Sequence, residues 1–529
     1  MKGVAMSNKL VCFVAFEEQD NLGIGYLASV LLQAGFDIKI IDFRLGKEDI
    51  LERLDLYSPL LVGFSIIFQY HIEDFKDLIN HLRDNGMNCH FSAGGHYPSL
   101  RYNELLQIIP QLDSVVLFEG EYTFLELVQS IYAGKDWKYI DGIAYRENSS
   151  IIANPLRPLE KDLDNFPLPV RQPSKEYALG KKYATILAGR GCLYDCSFCS
   201  IREFYSKPAG PVKRVRRPEM VVREMELLQE HKDCSIFMFQ DDDFPVARKK
   251  WVTKFCELLT EKGLSERILW KINCRPDEVE ADTCELMRNC GLFLVYVGIE
   301  SGTDDGLLLM NKRMKAETSI EAVNILKQLG IDYDYGFMLF DPSSTHQSVF
   351  DNLDFLETIC GGGSSPITFC KMLPYAGTKI ELELRKEGRL KGRTGFYDYD
   401  FLDSSLNYLY SFMVDCFGDW IMKRDGLLNA SRWARYYLTV YEKYFPPNLI
   451  VRDLDKAVHE IVSQSNRYFI NTARRLVSIF CSNDYQESID ILGVVKDDVS
   501  TKHSEYRMEL GEVFDSLDSL SKQEYIQLK

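Results

Sequence analysis

At 529 residues, 46% hydrophobic and 26% charged, the chain is too long for one ordinary core and has the composition of a globular protein of two or three domains, which excludes disordered and collagen-like classes. A formal charge of −16 leaves no broad basic face for a phosphate backbone, so bulk nucleic-acid binding is not expected. No run approaches the roughly 18 apolar residues of a membrane span, and residues 1–8 carry no leader-like apolar core, so a cytoplasmic protein without a membrane span is expected.

The first block alternates strand-like and helix-like segments. Apolar runs at 10–16, 38–41, 60–67, 89–93 and 114–118 predict strands, and helical periodicity marks 22–35, 72–85, 103–109 and 122–132. Five strands alternating with helices predict an α/β domain over residues 8–140, built on a doubly wound parallel sheet. Ligands of such sheets sit beyond the carboxyl ends of the strands. Those ends are residues 17–25, residues 65–70, Gly94-Gly95-His96 and Glu119-Gly120-Glu121, where glycine admits a large flat ligand.

From 141 to 182, Pro155, Pro158, Pro167, Pro169 and Pro173 interrupt any long periodic segment, which predicts a linker that wraps rather than folds alone. A second alternation follows over 183–395, with strands at 184–188, 235–240, 268–273, 293–299, 333–340 and 367–372 and helices such as 218–231 and 318–329. Six strand–helix units are too few for a closed eight-stranded barrel and predict an open partial (βα)6 barrel. Residues 396–529 turn aromatic and helical, at 401–420, 433–444 and 457–479, and predict an α-helical extension with no assigned chemistry.

The 14 cysteines lie mostly in apolar segments, among them Cys12, Cys256, Cys290 and Cys370, as reduced thiols packed as small hydrophobes do. One group has ligand spacing: Cys192, Cys196 and Cys199, a CxxxCxxC loop directly after the first barrel strand. A zinc site wants four ligands, and the nearest downstream candidates, His231 and Cys234, fall outside the loop. Three thiolates satisfy three irons of a [4Fe-4S] cluster and leave the fourth open. An open iron chelates the amine and carboxylate of S-adenosylmethionine and passes one electron to its sulfonium, which releases a 5′-deoxyadenosyl radical. The basic cluster Lys213, Arg214, Arg216 and Arg217 is read as a solvated loop beside this site, with anion binding as the alternative.

The segment Cys192-Leu-Tyr-Asp-Cys196-Ser-Phe-Cys199 resembles the signature of the radical S-adenosylmethionine superfamily, and the resemblance covers most of 183–395. It implies that Phe198 packs on the adenine. Asp241 and Asp242, in Gln240-Asp241-Asp242-Asp243, are implied contacts of the methionine amine, and Arg275 is implied to hold the carboxylate. Gly298-Ile-Glu300-Ser301-Gly302 resembles the family's GxES segment, which turns Glu300 toward the cofactor, and Met372-Leu-Pro374-Tyr-Ala-Gly377-Thr378 resembles its late Pro-Gly-Thr turn.

The front sheet resembles the flavodoxin-like cobalamin-binding domain attached to a large subgroup of these enzymes, including methyltransferases and the bacteriochlorophyll cyclase. Cobalamin domains with a histidine ligand read DxHxxG after the first strand. Here the stretch is Glu18-Gln-Asp20-Asn-Leu-Gly23, with Asp20 in the histidine's place, which implies a cobalamin with no protein imidazole below cobalt. The resemblance makes Asn21, Gly23, Ser65, Phe68, Gly94, Gly95, Glu119 and Gly120 the implied cobalamin contacts. Residues 68–71 are implied to cover the lower cobalt face: Phe68, Gln69 or Tyr70 leaves the metal weakly coordinated, whereas His71 ligates it.

The implied activity is C-methylation of an unactivated carbon with methylcobalamin, the alternative being oxidative cyclisation or rearrangement without methyl transfer. The expected partners are a small-molecule, lipid or peptide substrate and an external one-electron reductant of flavodoxin or ferredoxin type. Methylthiolation of transfer RNA needs a second cluster on three more N-terminal cysteines, and only Cys12 and Cys89 are available there.

Overall fold

The computed structural model describes residues 9–17, 20–481 and 489–527. It divides into two compact units. The first gathers the described part of Met1–Pro173 with Thr185–Glu224 and Leu373–Asp398, and the second gathers Ser174–Ala184, Met225–Met372 and the described part of Tyr399–Lys529.

The first unit is built on a seven-stranded sheet of β1 (Leu10–Ala15), β2 (Asp37–Asp42), β3 (Leu61–Ser65), β4 (His90–Gly94), β5 (Ser114–Val116), β6 (Ile143–Glu147) and β7 (Ser150–Ala153), in the order β2-β1-β3-β4-β5-β6-β7. The five predicted strands are all present and all parallel; the apolar runs of β1, β3, β4 and β5 are largely buried on both faces, as helix-covered parallel strands require, while the edge strand β2 buries only Ile41. One core holds Phe64, Phe75 and Phe91, and another holds Phe13, Phe124 and Leu127.

The stretch expected to be only a wrapping linker adds the antiparallel strands β6 and β7 to this sheet. Its prolines begin at Pro155, after the hairpin, and Asn148 at φ +53 makes the turn that Asn tolerates. The helix Lys47–Tyr57 was not anticipated, because only Ile50 and Leu54 of its residues are buried and two positions give no legible period.

The chain continues through β8 (Lys175–Ala178) and β9 (Lys181–Ile186), and through a two-stranded ribbon of β10 (Gly189–Arg190) and β11 (Arg214–Val215). The strands β12 (Cys234–Phe239), β13 (Leu269–Cys274), β14 (Leu292–Glu300), β15 (Asp332–Phe340) and β16 (Cys370–Lys371) follow. They form the second seven-stranded sheet in the order β16-β15-β14-β13-β12-β9-β8, parallel from β12 through β16. The predicted sixth strand at 367–372 shortens to the two residues of β16, and β8 adds an antiparallel edge.

Along β13 and β14, Trp270, Ile272, Val295 and Val297 are buried, while Lys271, Asn273, Tyr296 and Gly298 alternate with them on the other face. That alternation defines a concave inner face of the curled half-barrel.

Residues past 396 are helical as expected, after a small ribbon of β17 (Leu390–Arg393) and β18 (Phe396–Tyr399). The helices are Ser405–Ile421, Leu427–Tyr444, Leu449–Cys481 and Ile489–Gln527. Val495, Val499, Tyr506, Leu510, Val513 and Leu517 give the last one a buried stripe at helical spacing. Among the described residues no helix is long and apolar enough to cross a membrane.

Candidate active site

The three-thiol loop belongs to the first unit. It leaves β10, which pairs with β11 in the register Gly189↔Val215 and Arg190↔Arg214. Gly191 follows at φ +79, where a Cβ would stand 1.8 Å from the Val212 carbonyl oxygen, so only glycine lets the backbone pass. Cys192, Cys196 and Cys199 are half-buried, and the Cys199 amide donates to the Cys196 carbonyl at 3.2 Å. Segment 373–398 holds the loop from outside: Ile380 donates to the Ser197 carbonyl at 3.0 Å, and Lys379 pairs with Asp195 at 3.3 Å. Among the described residues no three His, Cys, Asp or Glu side chains converge into a closed metal cage. The loop supplies a donor set, three cysteines within eight residues, and that set suits a cluster with one open iron rather than a four-ligand zinc. Phe198 is half-buried between two of these cysteines.

A buried ion-pair network anchors the loop. Arg190 reaches Glu119 at 3.1 Å and Glu121 at 2.8 Å, and Arg214 grips Glu119 at 2.7 and 2.8 Å. Burial alone would raise the Glu119 carboxyl, but the Arg214 hydrogen bonds and the Arg190 charge outweigh it and hold the group below its ordinary value. Glu119, predicted to touch cobalamin, is thus committed to two guanidinium groups.

The basic cluster is not a solvated loop. Lys213, Arg214 and Arg216 are buried, and Arg216 pairs with Glu224 at 2.6 Å and with Asp164 at 3.2 Å. Arg217, exposed, reaches Asp164 at 3.1 Å. The four basic residues were visible in the sequence, but Glu119 and Asp164 come from distant segments, and Glu224, eight residues from Arg216, lies in the next helix, so no short pattern announced the pairing.

Asp20, in the place of a cobalt-ligating histidine, pairs with Arg171 at 2.9 Å, whose other arm holds Glu224 at 2.6 Å. Glu18 and Gln19 of the same stretch lie outside the described residues. Asn21 caps the helix Leu22–Gln33, accepting from the Ile24 amide at 3.2 Å, and an added Cβ at Gly23 meets only Asn21 at 3.5 Å. Ser65 ends β3 in register with Gly94, where an added Cβ would make ordinary contact. Gly95 is different: at φ +114, a Cβ would stand 2.7 Å from the Ile66 carbonyl oxygen. At Gly120 a Cβ would press on Val116 at 3.1 Å.

Beyond β3 the sheet edge exposes Ile67, Phe68 and Tyr70, with the two rings stacked at 5.3 Å. An exposed apolar edge beside glycine backbone suits a large flat ligand. His71 turns elsewhere, with its Nδ1 on Asp74 at 2.9 Å and its ring against Phe16 at 4.5 Å. Of the open readings of residues 68–71, this geometry favours the one without imidazole.

In the second unit, Asp241 is buried and its carbonyl accepts from Asn273 at 3.3 Å, while Asp242 is exposed. Arg275 spends Nε and Nη2 on Asp277 at 2.9 and 3.0 Å, and Nη2 also donates to the Lys312 carbonyl at 2.6 Å. A bidentate grip on another carboxylate therefore competes with Asp277.

Glu300 ends β14 at φ +72, a strained conformation for a non-glycine residue, beside a register shift in the sheet. It lies over two glycines paired across β14 and β15: a Cβ on Gly298 or on Gly336 would stand 3.0 Å from its carboxylate oxygens. Burial raises the Glu300 carboxyl, and the Lys312 charge 4.0 Å away lowers it only in part. Sequence reasoning missed Lys271, Tyr296, Lys312 and Cys370, although the first two alternate with buried residues along their strands. Tyr296 is 37% exposed, yet burial pushes its phenol well above the usual range. Cys370 is also exposed, and burial raises its thiol to about 12.

A parallel sheet with an apolar carboxyl edge, a three-thiol loop and a curled half-barrel are the parts expected of an iron–sulfur radical enzyme with a corrinoid-type front domain. Residues 8–128 match the model of the B12 binding domain, and residues 186–356 match that of the Radical SAM superfamily. The chain belongs to the cobalamin-dependent radical SAM enzymes, whose cofactors are a [4Fe-4S] cluster, S-adenosylmethionine and cobalamin.

It is similar to an uncharacterized methyltransferase of Pyrococcus horikoshii, at 28% identity over 68% of this chain and 77% of that one. It is also similar to the anaerobic magnesium-protoporphyrin IX monomethyl ester cyclase of Rubrivivax gelatinosus, at 28% identity over 60% of this chain and 58% of the cyclase. Among solved structures, the cobalamin-dependent S-adenosylmethionine radical enzyme OxsB shares its fold at a TM-score of 0.67 and 17% identity, covering 97% of this chain and 81% of that one.

Two predictions follow from this geometry. Glu119→Ala leaves two buried guanidinium groups without their shared carboxylate and lowers stability by about 3–5 kcal/mol, read as a fall in the urea midpoint. The enzyme loaded with cob(II)alamin gives an electron paramagnetic resonance spectrum without nitrogen splitting from protein, the same in His71→Ala; nitrogen splitting that His71→Ala abolishes would make His71 the ligand.

Proposed function

We propose that the chain methylates an unactivated carbon of a small-molecule, lipid or peptide substrate. The observation that carries this reading is the pairing, within one compact unit, of a three-thiol loop with a corrinoid-type sheet edge whose His71 imidazole is turned to Asp74. When bound, the cluster, S-adenosylmethionine and cobalamin supply a deoxyadenosyl radical and a transferable methyl group. Turning His71 to Asp74 would leave no imidazole of residues 68–71 to hold the corrin's metal, which would suit a methyl carrier.

In this reading Cys192, Cys196 and Cys199 ligate the cluster and Phe198 packs on adenine. Asp241, Asp242, Arg275 and Glu300 serve the methionine end, and Gly95 and Phe68 receive the corrin. Asn21, Gly23, Glu119 and Gly120 act as a helix cap, an anchor and close-packing positions around that edge. The domains run over 8–140, 183–395 and 396–529, and electrons come from an external reductant of flavodoxin or ferredoxin type. The relative from Pyrococcus, named a methyltransferase, supports methyl transfer. The cyclase of equal identity supports the second reading, oxidative cyclisation or rearrangement without methyl transfer.

Replacing any one of the three cysteines by Ala abolishes the cluster's visible absorption and the release of 5′-deoxyadenosine; full activity in any one variant contradicts the ligand set. Anaerobic turnover of cell extract with S-adenosylmethionine deuterated on its methyl group yields a product heavier by one labelled methyl. Product formed with deoxyadenosine but without label establishes cyclisation or rearrangement instead.

A further inference from the structure

The floor of the half-barrel carries charge that the reading above leaves unused. In register across three strands, Asn273, Tyr296 and Asp334 form one layer of the concave face, with Lys271 two residues below Asn273. Lys271 is half-buried, and its side chain makes no hydrogen bond and no ion pair with the described residues. Burial lowers the affinity of its amine for a proton, the Asp334 carboxylate opposes that, and Arg432 adds to it. An ammonium held this way is short of an anion.

Its neighbours do not supply one. Tyr436 donates to Asp334, and Arg432 Nε faces Asp334 Oδ1 at 3.4 Å, yet neither of those two atoms has a hydrogen-bond partner. Arg435 pairs with Asp332 at 2.8 Å and stands 3.6 Å from Asp334. Lys271 and Arg432 thus face Asp334, and Arg435 is shared between Asp332 and Asp334. Further out, Glu442 feels Asp455 and Asp332, which Arg452 opposes, and Tyr296 feels Glu300. The phenols Tyr177, Tyr296 and Tyr436 around the group are all held neutral by burial. The Lys271 ammonium and Arg432 Nε are donors without an acceptor among the described residues, in a polar layer that has surface to receive one.

We propose that Lys271 and Arg432 bind an anionic oxygen group of the substrate, a carboxylate or a phosphate, at the floor of the half-barrel. This rests on the reading of the concave face as the reaction chamber.

The test uses the reconstituted holoenzyme, with inorganic phosphate and acetate as separate probes in isothermal titration. Wild type binds at least one of the two; Lys271→Met binds it about tenfold more weakly or worse, and Lys271→Arg stays near wild type. Tighter phosphate binding assigns a phosphate ester, and tighter acetate binding assigns a carboxylate. Release of 5′-deoxyadenosine without substrate is the same in all three proteins, because Lys271 lies outside the cofactor machinery. Its absence in wild type would count against the radical reading, while the titrations still judge the floor. Equal binding by wild type and Lys271→Met means an adventitious ion only, and no binding of either probe to wild type equally overturns the proposal.

Discussion

The first unit depends on Glu119 being shared between Arg190 and Arg214. The residue lies three positions past the last parallel strand of the front sheet, and Arg190 is two residues before Cys192. One carboxylate therefore ties the end of that strand to the strand that delivers three thiols. Removing charges from water is costly, and the pairing offsets that only because hydrogen bonds and aromatic rings complete the site: Arg190 lies over Tyr26 and Phe166, and Arg214 over Tyr205. The result is less a source of stability than a means of fixing register. Slippage of either strand would strand a buried charge.

The same chemistry explains why Asp20 stands where other cobalamin domains place histidine. Its carboxylate belongs to a second chain of pairs through Arg171 and Glu224 to Arg216. A metal ligand at that position would have to leave the network, so the residue that looks like a lost ligand has a structural task.

Much of the architecture was legible because parallel strands buried on both faces are continuous apolar runs, as at Leu10–Ala15 and Leu61–Ser65. The cysteine loop was legible because its donors are close in sequence. The hairpin Ile143–Ala153 was obscured by the prolines that follow it, and the helix Lys47–Tyr57 by its two buried positions. Ion pairs were the least legible element: Arg214 meets Glu119 across 95 residues and Arg435 meets Asp332 across 103, and no window of sequence spans either. The same limit hid the pairing of Glu119 with Arg190 and Arg214 and the unpaired side chain of Lys271.

The unit of compactness and the unit of sequence kinship do not coincide. The Radical SAM match begins at residue 186, yet Thr185–Glu224, with all three cysteines, folds with the front sheet, and Leu373–Asp398 joins them from far downstream. A half-barrel inherited as one module has lent its most reactive loop to its neighbour. Shuffling such modules at their kinship borders would separate the thiols from the acids that seat them, so the two halves must change together.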